Sequence, residues 1–299
     1  MGTDTGALGR TYKGRTDSIM VAVLNPKTKK TTLISFERDQ QVNLPDYPAK
    51  SPSKLNAAYA YGNAKELAKV LKKYYNIPIN AYVLINMGGL KTIVNKVGGV
   101  DIAPILSFSY EGYTFTKGVK THMDGAKALA YSRMRYDDPE GDYGRQKRQR
   151  QVLSALLKKA ESATTLLNSS FISSLSKQVQ TDLTFSDMTS MAKNYLSATN
   201  NLSTDYTHGT GYMQDGVSYQ KISTSERQRI SNLIRKAMGL KTKTVSPDSI
   251  DTSSSSSSSS STTTDANAAG GDTGNGTDSG TTGDYSAGTD QNNGNGYGY

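Results

Sequence analysis

The sequence predicts an α/β fold: one domain on a central mixed β-sheet flanked by helices, an α-β-α sandwich, followed by a disordered C-terminal tail. Three observations lead there. Over residues 19–24, Ile19, Val21 and Val23 alternate with Met20, Ala22 and Leu24, so both faces of that strand are apolar and need cover. Further along, short apolar runs alternate with stretches of helical period, as in a layered sandwich. After about Val245 come nine consecutive serines, Ser253 to Ser261, and then Gly, Asn, Thr and Asp with almost nothing to bury.

The elements follow in order. Ile19 to Leu24 and Thr32 to Phe36 read as the strands of a hairpin closed by "NPKTKK". In "AKELAKVLKKYYN", Leu67, Val70, Leu71 and Tyr74 share one helical stripe. "AYVLIN" reads as a strand and "GLKTIVNKVG" as a helix stopped by Gly98 and Gly99. Beyond "SFSYEGYTF", a short helix is expected from Asp124 to Tyr131, a long one from about Arg145 to Leu167, and others near 186–199 and 225–238. The expected divisions are a flexible remnant over 1–9, the folded domain over 10–240 and a low-complexity tail over 241–299. The longest apolar run, Ile19 to Leu24, is far short of the ~20 residues that span a bilayer, so no membrane span is expected within this sequence.

Composition narrows the chemistry. Cysteine is absent, which excludes thiol catalysis, thiolate zinc sites and disulfides. His122 and His208 are isolated, against a histidine metal cluster or a Ser-His-Asp triad. Of 35 Lys and Arg and 26 Asp and Glu, two lysines and seven aspartates lie beyond residue 240, leaving 33 against 19 before it and a charge near +14. Such an excess calls for an anionic partner: nucleic acid, a membrane surface or a phosphorylated substrate.

Two carboxylates bracket the hairpin. A turn centred on residue 28 places Asp17 across from Asp39, where like charges about 5 Å apart repel unless neutralised. Magnesium, which takes one or two carboxylates plus phosphate oxygens and water, would do so; a salt-bridge cluster with Arg15 and Arg38 is the other answer.

The most basic stretch is "YSRMRYDDPEGDYGRQKRQRQVL", residues 131–153. On a helix at 100° per residue, Arg145 and Gln149 fall within about 40° of Val152 and Leu156, the apolar stripe. Lys147, Arg150 and Lys158 fall opposite, as a solvated face, with Arg148 at the boundary. A guanidinium turned inward needs an anion. Arg133 and Arg135, two apart in an extended segment, make a pincer for phosphate oxygens, aided by the amides of the following helix start. Ion pairs with Asp137, Asp138, Glu140 or Asp142 are the structural alternative.

"RTDSIM", "SFERD", "SKLNAAYAYG", "KVGGVDI", "EGYTF" and "DGAKALAYSRMRYDDPEGDYGRQKRQRQV", in that order over roughly residues 10–160, resemble the LytR-CpsA-Psr family of bacterial cell-envelope enzymes. The resemblance implies a phosphotransferase that moves an anionic glycopolymer, such as wall teichoic acid or capsular polysaccharide, from an undecaprenyl pyrophosphate carrier to peptidoglycan. It implies a Mg2+ ion on Asp17 and Asp39, a pocket for the polyprenyl tail and an N-terminal anchor at the membrane surface, facing outside. Carried over by position, Arg15, Arg38, Lys54, Arg133, Arg135, Arg145 and Gln149 hold the pyrophosphate, and Asp17, Asp39, Arg38 and Arg135 act in catalysis. The departure is Glu37, where members usually carry proline. Leu67, Val70, Leu71, Ile85 and Val94 read as core before they read as lipid pocket. Two other functions compete: a basic nucleic-acid-binding regulator, suggested by "GRQKRQRQ", and a non-catalytic polyprenyl-phosphate carrier. The inward Arg145 and the paired aspartates argue against nucleic acid.

Overall fold

The protein is described by a computed structural model covering residues 1–3, 14–160 and 179–247. In chain order the strands are β1 (Gly2–Thr3), β2 (Thr16–Asn25), β3 (Lys30–Phe36), β4 (Gln41–Val42), β5 (Ser53–Lys54), β6 (Val83–Asn86), β7 (Val100–Ile102), β8 (Phe108–Tyr110), β9 (Tyr113–Phe115), β10 (Thr121–Met123), β11 (Val179–Thr181), β12 (Asn201–Tyr206), β13 (Thr210–Gln214) and β14 (Val217–Lys221). The helices are α1 (Ala57–Tyr75), α2 (Met87–Lys96), α3 (Gly125–Arg133), α4 (Asp142–Ala160), α5 (Phe185–Tyr195) and α6 (Thr224–Ala237). The expected continuation of the long helix to Leu167 lies outside the described residues.

The central sheet is mixed, in the order β11-β6-β1-β2-β3-β12, with β1–β6 and β3–β12 parallel and the other pairs antiparallel. One apolar face of β2 is covered by a helical core; on the other, Met20 and Leu24 are half-buried, Ala22 is exposed, and all three line a cavity instead of a packed layer. Ile19, Val23, Ile34 and Phe36 pack under α1 and α6, against Leu67, Val70, Tyr74, Ile230 and Ile234. Helices α2, α3 and α4 close a second core around Val94, Met123, Ala128, Tyr131 and Val152, built without residues of the central sheet. Local chemistry sets the helix ends. Asp124 and Ser223 accept from the amides of Lys127 and Glu226, Thr184 and Asp187 form a capping box, and α2 is followed by Gly98 and Gly99 at φ 76° and 80°.

Three expectations change. The hairpin register runs from Ile19↔Phe36 to Asn25↔Lys30. Its turn is fixed by the Thr28 amide on Asn25 Oδ1 and by a left-handed Lys29, φ 51°. The centre therefore falls between Lys27 and Thr28, and continuing the register sets Arg38, not Asp39, across from Asp17. The expected remnant over 1–9 begins instead as a sheet strand. The Met1 amino group donates to Val83 O (2.9 Å) and the Ile85 amide to Met1 O (3.0 Å), so β1 covers the edges of β2 and β6; residues 4–9 lie outside the described residues. Finally, ordered chain passes the expected boundary at 240, because Gln228 receives the Val245 amide at 2.8 Å and Val245 is buried. The rest of the tail, from residue 248, lies outside the described residues. Among the described residues, no helix is long and apolar enough to cross a membrane.

Candidate functional site

The segment after β3 carries Glu37, Arg38 and Asp39, and backbone hydrogen bonds from distant chain hold it in place. The Asn56 amide donates to Arg38 O (3.0 Å), the Leu55 amide to Gln40 O (2.8 Å), the Gln220 amide to Asp39 O (2.9 Å), and the Glu37 amide to Thr207 Oγ1 (2.9 Å). The last bond is one that a proline at position 37 could not donate. From this braced loop Arg38 reaches three carboxylates. Its Nη1 donates to Asp17 Oδ1 at 2.5 Å, and its Nε lies 3.6 Å from Asp39 Oδ2 and 3.7 Å from Asp142 Oδ1. Lys54 holds the other oxygen of Asp39 at 3.0 Å.

The second half comes from α4. Arg145, on the inward stripe as its helical phase predicts, is 8% exposed; its Nη2 lies 2.5 Å from Asp142 Oδ1 and donates to Asp17 O at 3.2 Å. Arg135 Nε stands 3.7 Å from the same Asp142 oxygen. Asp17, Arg38, Asp39, Lys54, Arg135, Asp142 and Arg145 thus form one continuous ionic network. Burial works against the charge of Arg38, but Asp142, Asp39 and Asp17 overcome it and raise its pKa. For Arg145, burial dominates and lowers its pKa, with Asp142 opposing and Arg38 adding to the fall. Arg38 Nε, Arg145 Nε and Gln149 Oε1 are buried with no hydrogen-bond partner among the described residues, leaving unused capacity for a ligand at this spot.

A cavity of about 1540 Å3 opens from the network. Asp17, Arg133, Arg145 and Gln149 stand in its wall, together with Met20, Ile85, Leu90, Val152 and Leu156. Of the five core candidates, Leu71 and Ile85 line it, whereas Leu67, Val70 and Val94 are fully buried core.

Several expected residues sit differently. Arg133 and Arg135 form no extended pincer, because α3 continues through Arg133, which pairs with Glu111 beyond β8, while Arg135 turns to Asp142. Arg15 is exposed, and its described contact is its carbonyl, which accepts from Thr3 Oγ1. Arg150 is not part of a solvated face. It is 5% exposed, donates to Ser35 Oγ at 2.8 Å and lies 5.2 Å from the Tyr206 ring centroid. Arg148 is fully buried on Asp138. The missed residue is Asp142, the carboxylate shared by three arginines; its signal was the three-residue spacing to Arg145 on a helix that begins at Asp142. Arg145, Arg148 and Arg150 are all buried, which removes three of the block's cations from the exposed face that a nucleic acid would need.

Glu37 is 2% exposed, accepts from Gln146 Nε2 at 2.7 Å, and has its pKa pushed up to about 7, first by burial and then by Asp142. The folded chain therefore holds a proton on Glu37 that the unfolded chain releases above its ordinary pKa of 4.5. Its stabilising contribution is full below about pH 4.5 and is lost as pH rises through about 7, by about 3 kcal/mol in all. Glu37→Gln is expected to flatten that slope, measured as urea midpoints at pH 5 and pH 8.

Asp17 and Asp39 are the hard oxygen donors that could hold a magnesium ion, with phosphate oxygens and water as its other ligands. Among the described residues, no group of three or more His, Cys, Asp or Glu forms a site of protein ligands alone.

The LytR_cpsA_psr family profile matches residues 1–236. The polyisoprenyl-teichoic acid--peptidoglycan teichoic acid transferase TagU of Enterococcus faecalis is 45% identical over 81% of this chain and 79% of its own length. Biofilm regulatory protein A of Streptococcus mutans is 41% identical over 82% of this chain and 64% of its own. A crystal structure described as a transcriptional regulator from Enterococcus faecalis superposes with a TM-score of 0.71 at 35% identity, covering 81% of this chain and 87% of that one. The profile spans most of the chain and both halves of the ionic network, and by that match this chain belongs to the LytR_cpsA_psr family.

Proposed function

We propose that this chain is a transferase that moves an anionic glycopolymer of the teichoic acid class from a polyprenyl pyrophosphate carrier onto peptidoglycan at the cell envelope. One observation carries this: the ionic network reaches the apolar cavity through Asp17 and Arg145, so a single ligand can place a pyrophosphate on Arg145 and Gln149, beside the Arg38 that pairs with Asp17, and a hydrocarbon chain against Met20, Ile85, Val152 and Leu156. Each buried methylene of such a chain contributes about 0.8 kcal/mol. The TagU relative, named for the same transfer, supports the assignment.

In the reaction, a sugar hydroxyl of peptidoglycan attacks the phosphorus that bears the glycopolymer. A new O–P bond forms, the bond to the bridging oxygen breaks, and its electron pair leaves on polyprenyl phosphate. Arg38, Arg135 and Arg145, already fixed by Asp142 and by the braced loop, stabilise the charge that builds on the phosphate oxygens. The hydroxyl proton passes to Asp17 or Asp39, whose side chains are 37% and 24% exposed, whereas that of Asp142 is only 15% exposed. Asp17 and Asp39 would also hold Mg2+, which when bound supplies further positive charge to the pyrophosphate.

Asp39→Ala is expected to abolish transfer from a lipid-linked teichoic acid while a short polyprenyl pyrophosphate still binds. Unchanged transfer would exclude the aspartate from catalysis; retained lipid binding in a wild-type protein that transfers nothing would point to a carrier.

A further inference from the structure

We infer that a second groove, on the reverse side of α4, holds the phosphodiester chain of the glycopolymer away from its reacting end; this rests on the transferase function proposed above. The groove has a volume of about 860 Å3 and lies between α4, β7 and β12. At 100° per residue, α4 turns Arg145, Gln149, Val152 and Leu156 to the cavity, and Lys147, Arg150, Ser154 and Lys158 to the opposite side, where they line the groove. One helix thus serves two sites.

Five cations line the groove: Lys120, Lys147, Arg150, Lys158 and Lys159. Its two acids have their direct partners outside the groove, Asp101 in His122 Nδ1 at 2.9 Å and Asp205 in Arg229 at 2.8 Å, and each also faces groove cations, Asp101 near Lys120 and Lys159 and Asp205 near Arg150, so the five cations still outnumber them. Lys147 shares its charge with Glu140 at 2.6 Å, and Arg150 is fixed in the wall by Ser35 and Tyr206. Lys120 and Lys158 are exposed and form no ion pair among the described residues. From Lys147 to Lys158 the ridge runs roughly 17 Å along the helix, longer than one phosphate needs and suited to a chain of repeated charges. Lysines are point charges on flexible stems and impose no bidentate geometry, so they can hold such a chain in many registers.

Single-stranded nucleic acid is the competing polyanion, and it binds where aromatic rings alternate with basic residues. Tyr206 is the one aromatic side chain in the described lining, and Arg150 already lies over its ring. A duplex receives protruding elements into its own grooves, whereas this surface is a hollow. A flexible phosphodiester glycopolymer fits both facts.

The test is Lys120→Glu/Lys158→Glu in the full chain, titrated by calorimetry with lipid-free poly(glycerol phosphate) and, separately, with geranyl pyrophosphate. The expected result is a loss of about tenfold or more in polymer affinity, a steep salt dependence in the wild type, and unchanged geranyl pyrophosphate binding and thermal midpoint. Unchanged polymer affinity, no binding of polymer by the wild type, or displacement of polymer by a lower concentration of an oligonucleotide of equal charge would each overturn the groove assignment. Failure of the wild type to bind geranyl pyrophosphate would instead overturn the transferase function.

Discussion

Replacing Arg145 by alanine is expected to lower glycopolymer transfer by about 10²- to 10³-fold, with a parallel loss of affinity for a short polyprenyl pyrophosphate. Burial opposes the charge of Arg145, which stands in the cavity wall beside Gln149, and its Nε has no hydrogen-bond partner among the described residues. An entering phosphate gives that donor its acceptor. Arg145→Lys keeps the charge but loses the planar fork, so it is expected to recover only part of the affinity. The fold itself should tolerate the change. Asp142 keeps Gln146 Nε2 at 3.1 Å and Arg38 and Arg135 at 3.7 Å, so its carboxylate is not left without compensation. Binding calorimetry and a lipid-to-peptidoglycan transfer assay check both halves; an alanine variant that binds the pyrophosphate as tightly as the wild type would remove Arg145 from the site.

How much of this was legible in the sequence differs by element. The apolar alternation of β2 called for cover on two sides; the structure provides α1 and α6 on one, and on the other it leaves Met20, Ala22 and Leu24 lining the cavity, an apolar wall that alternation alone does not distinguish from packed core. The phase of Arg145 and Gln149 followed from helical geometry alone, because their direction depends on neighbours three and four positions away. What failed depended on partners distant in the chain. Arg150 has the helical phase of a surface residue, yet it is covered by Ser35 and Tyr206. β12, which brings Tyr206 there, pairs in parallel with β3 across more than 160 intervening residues, and no local pattern announced it.

The site shows the same division. Asp17 and Asp39 were found as a pair, but their relation turned on a one-position difference in register that only the turn at 26–29 decides. Arg38 consequently stands between them as a bridge. Asp142 was one of four acids between residues 137 and 142 that the sequence offered as ion-pair partners, with no reason to prefer one. Its place in the first helical turn, one turn before Arg145, made it the shared carboxylate.

The buried pair one turn further along α4 is expected to have the larger effect on stability: Arg148→Ala should cost about 3–5 kcal/mol, a large part of the 5–15 kcal/mol that holds a typical domain together. Arg148 is 0% exposed and does three things at once. Its Nη1 pairs with the Asp138 carboxylate, its Nε and Nη2 donate to Tyr131 O and Met134 O at the end of α3, and its guanidinium lies 5.3 Å from the Phe108 ring centroid. Alanine strands the Asp138 charge at 5% exposure and frees two helix-end carbonyls. Gly144 belongs to the same device, because a Cβ there would meet Asp138 Oδ2 at 1.9 Å; Gly144→Ala should therefore destabilise the same loop. Urea unfolding of Arg148→Ala and of Arg148→Ala/Asp138→Ala separates the causes. If the stranded charge dominates, the double variant is the more stable of the two; if the lost carbonyl caps dominate, the two unfold together. The loop that Arg148 ties down also carries Arg135 into the ionic network, so pyrophosphate affinity should fall in Arg148→Ala even at temperatures where the chain stays folded.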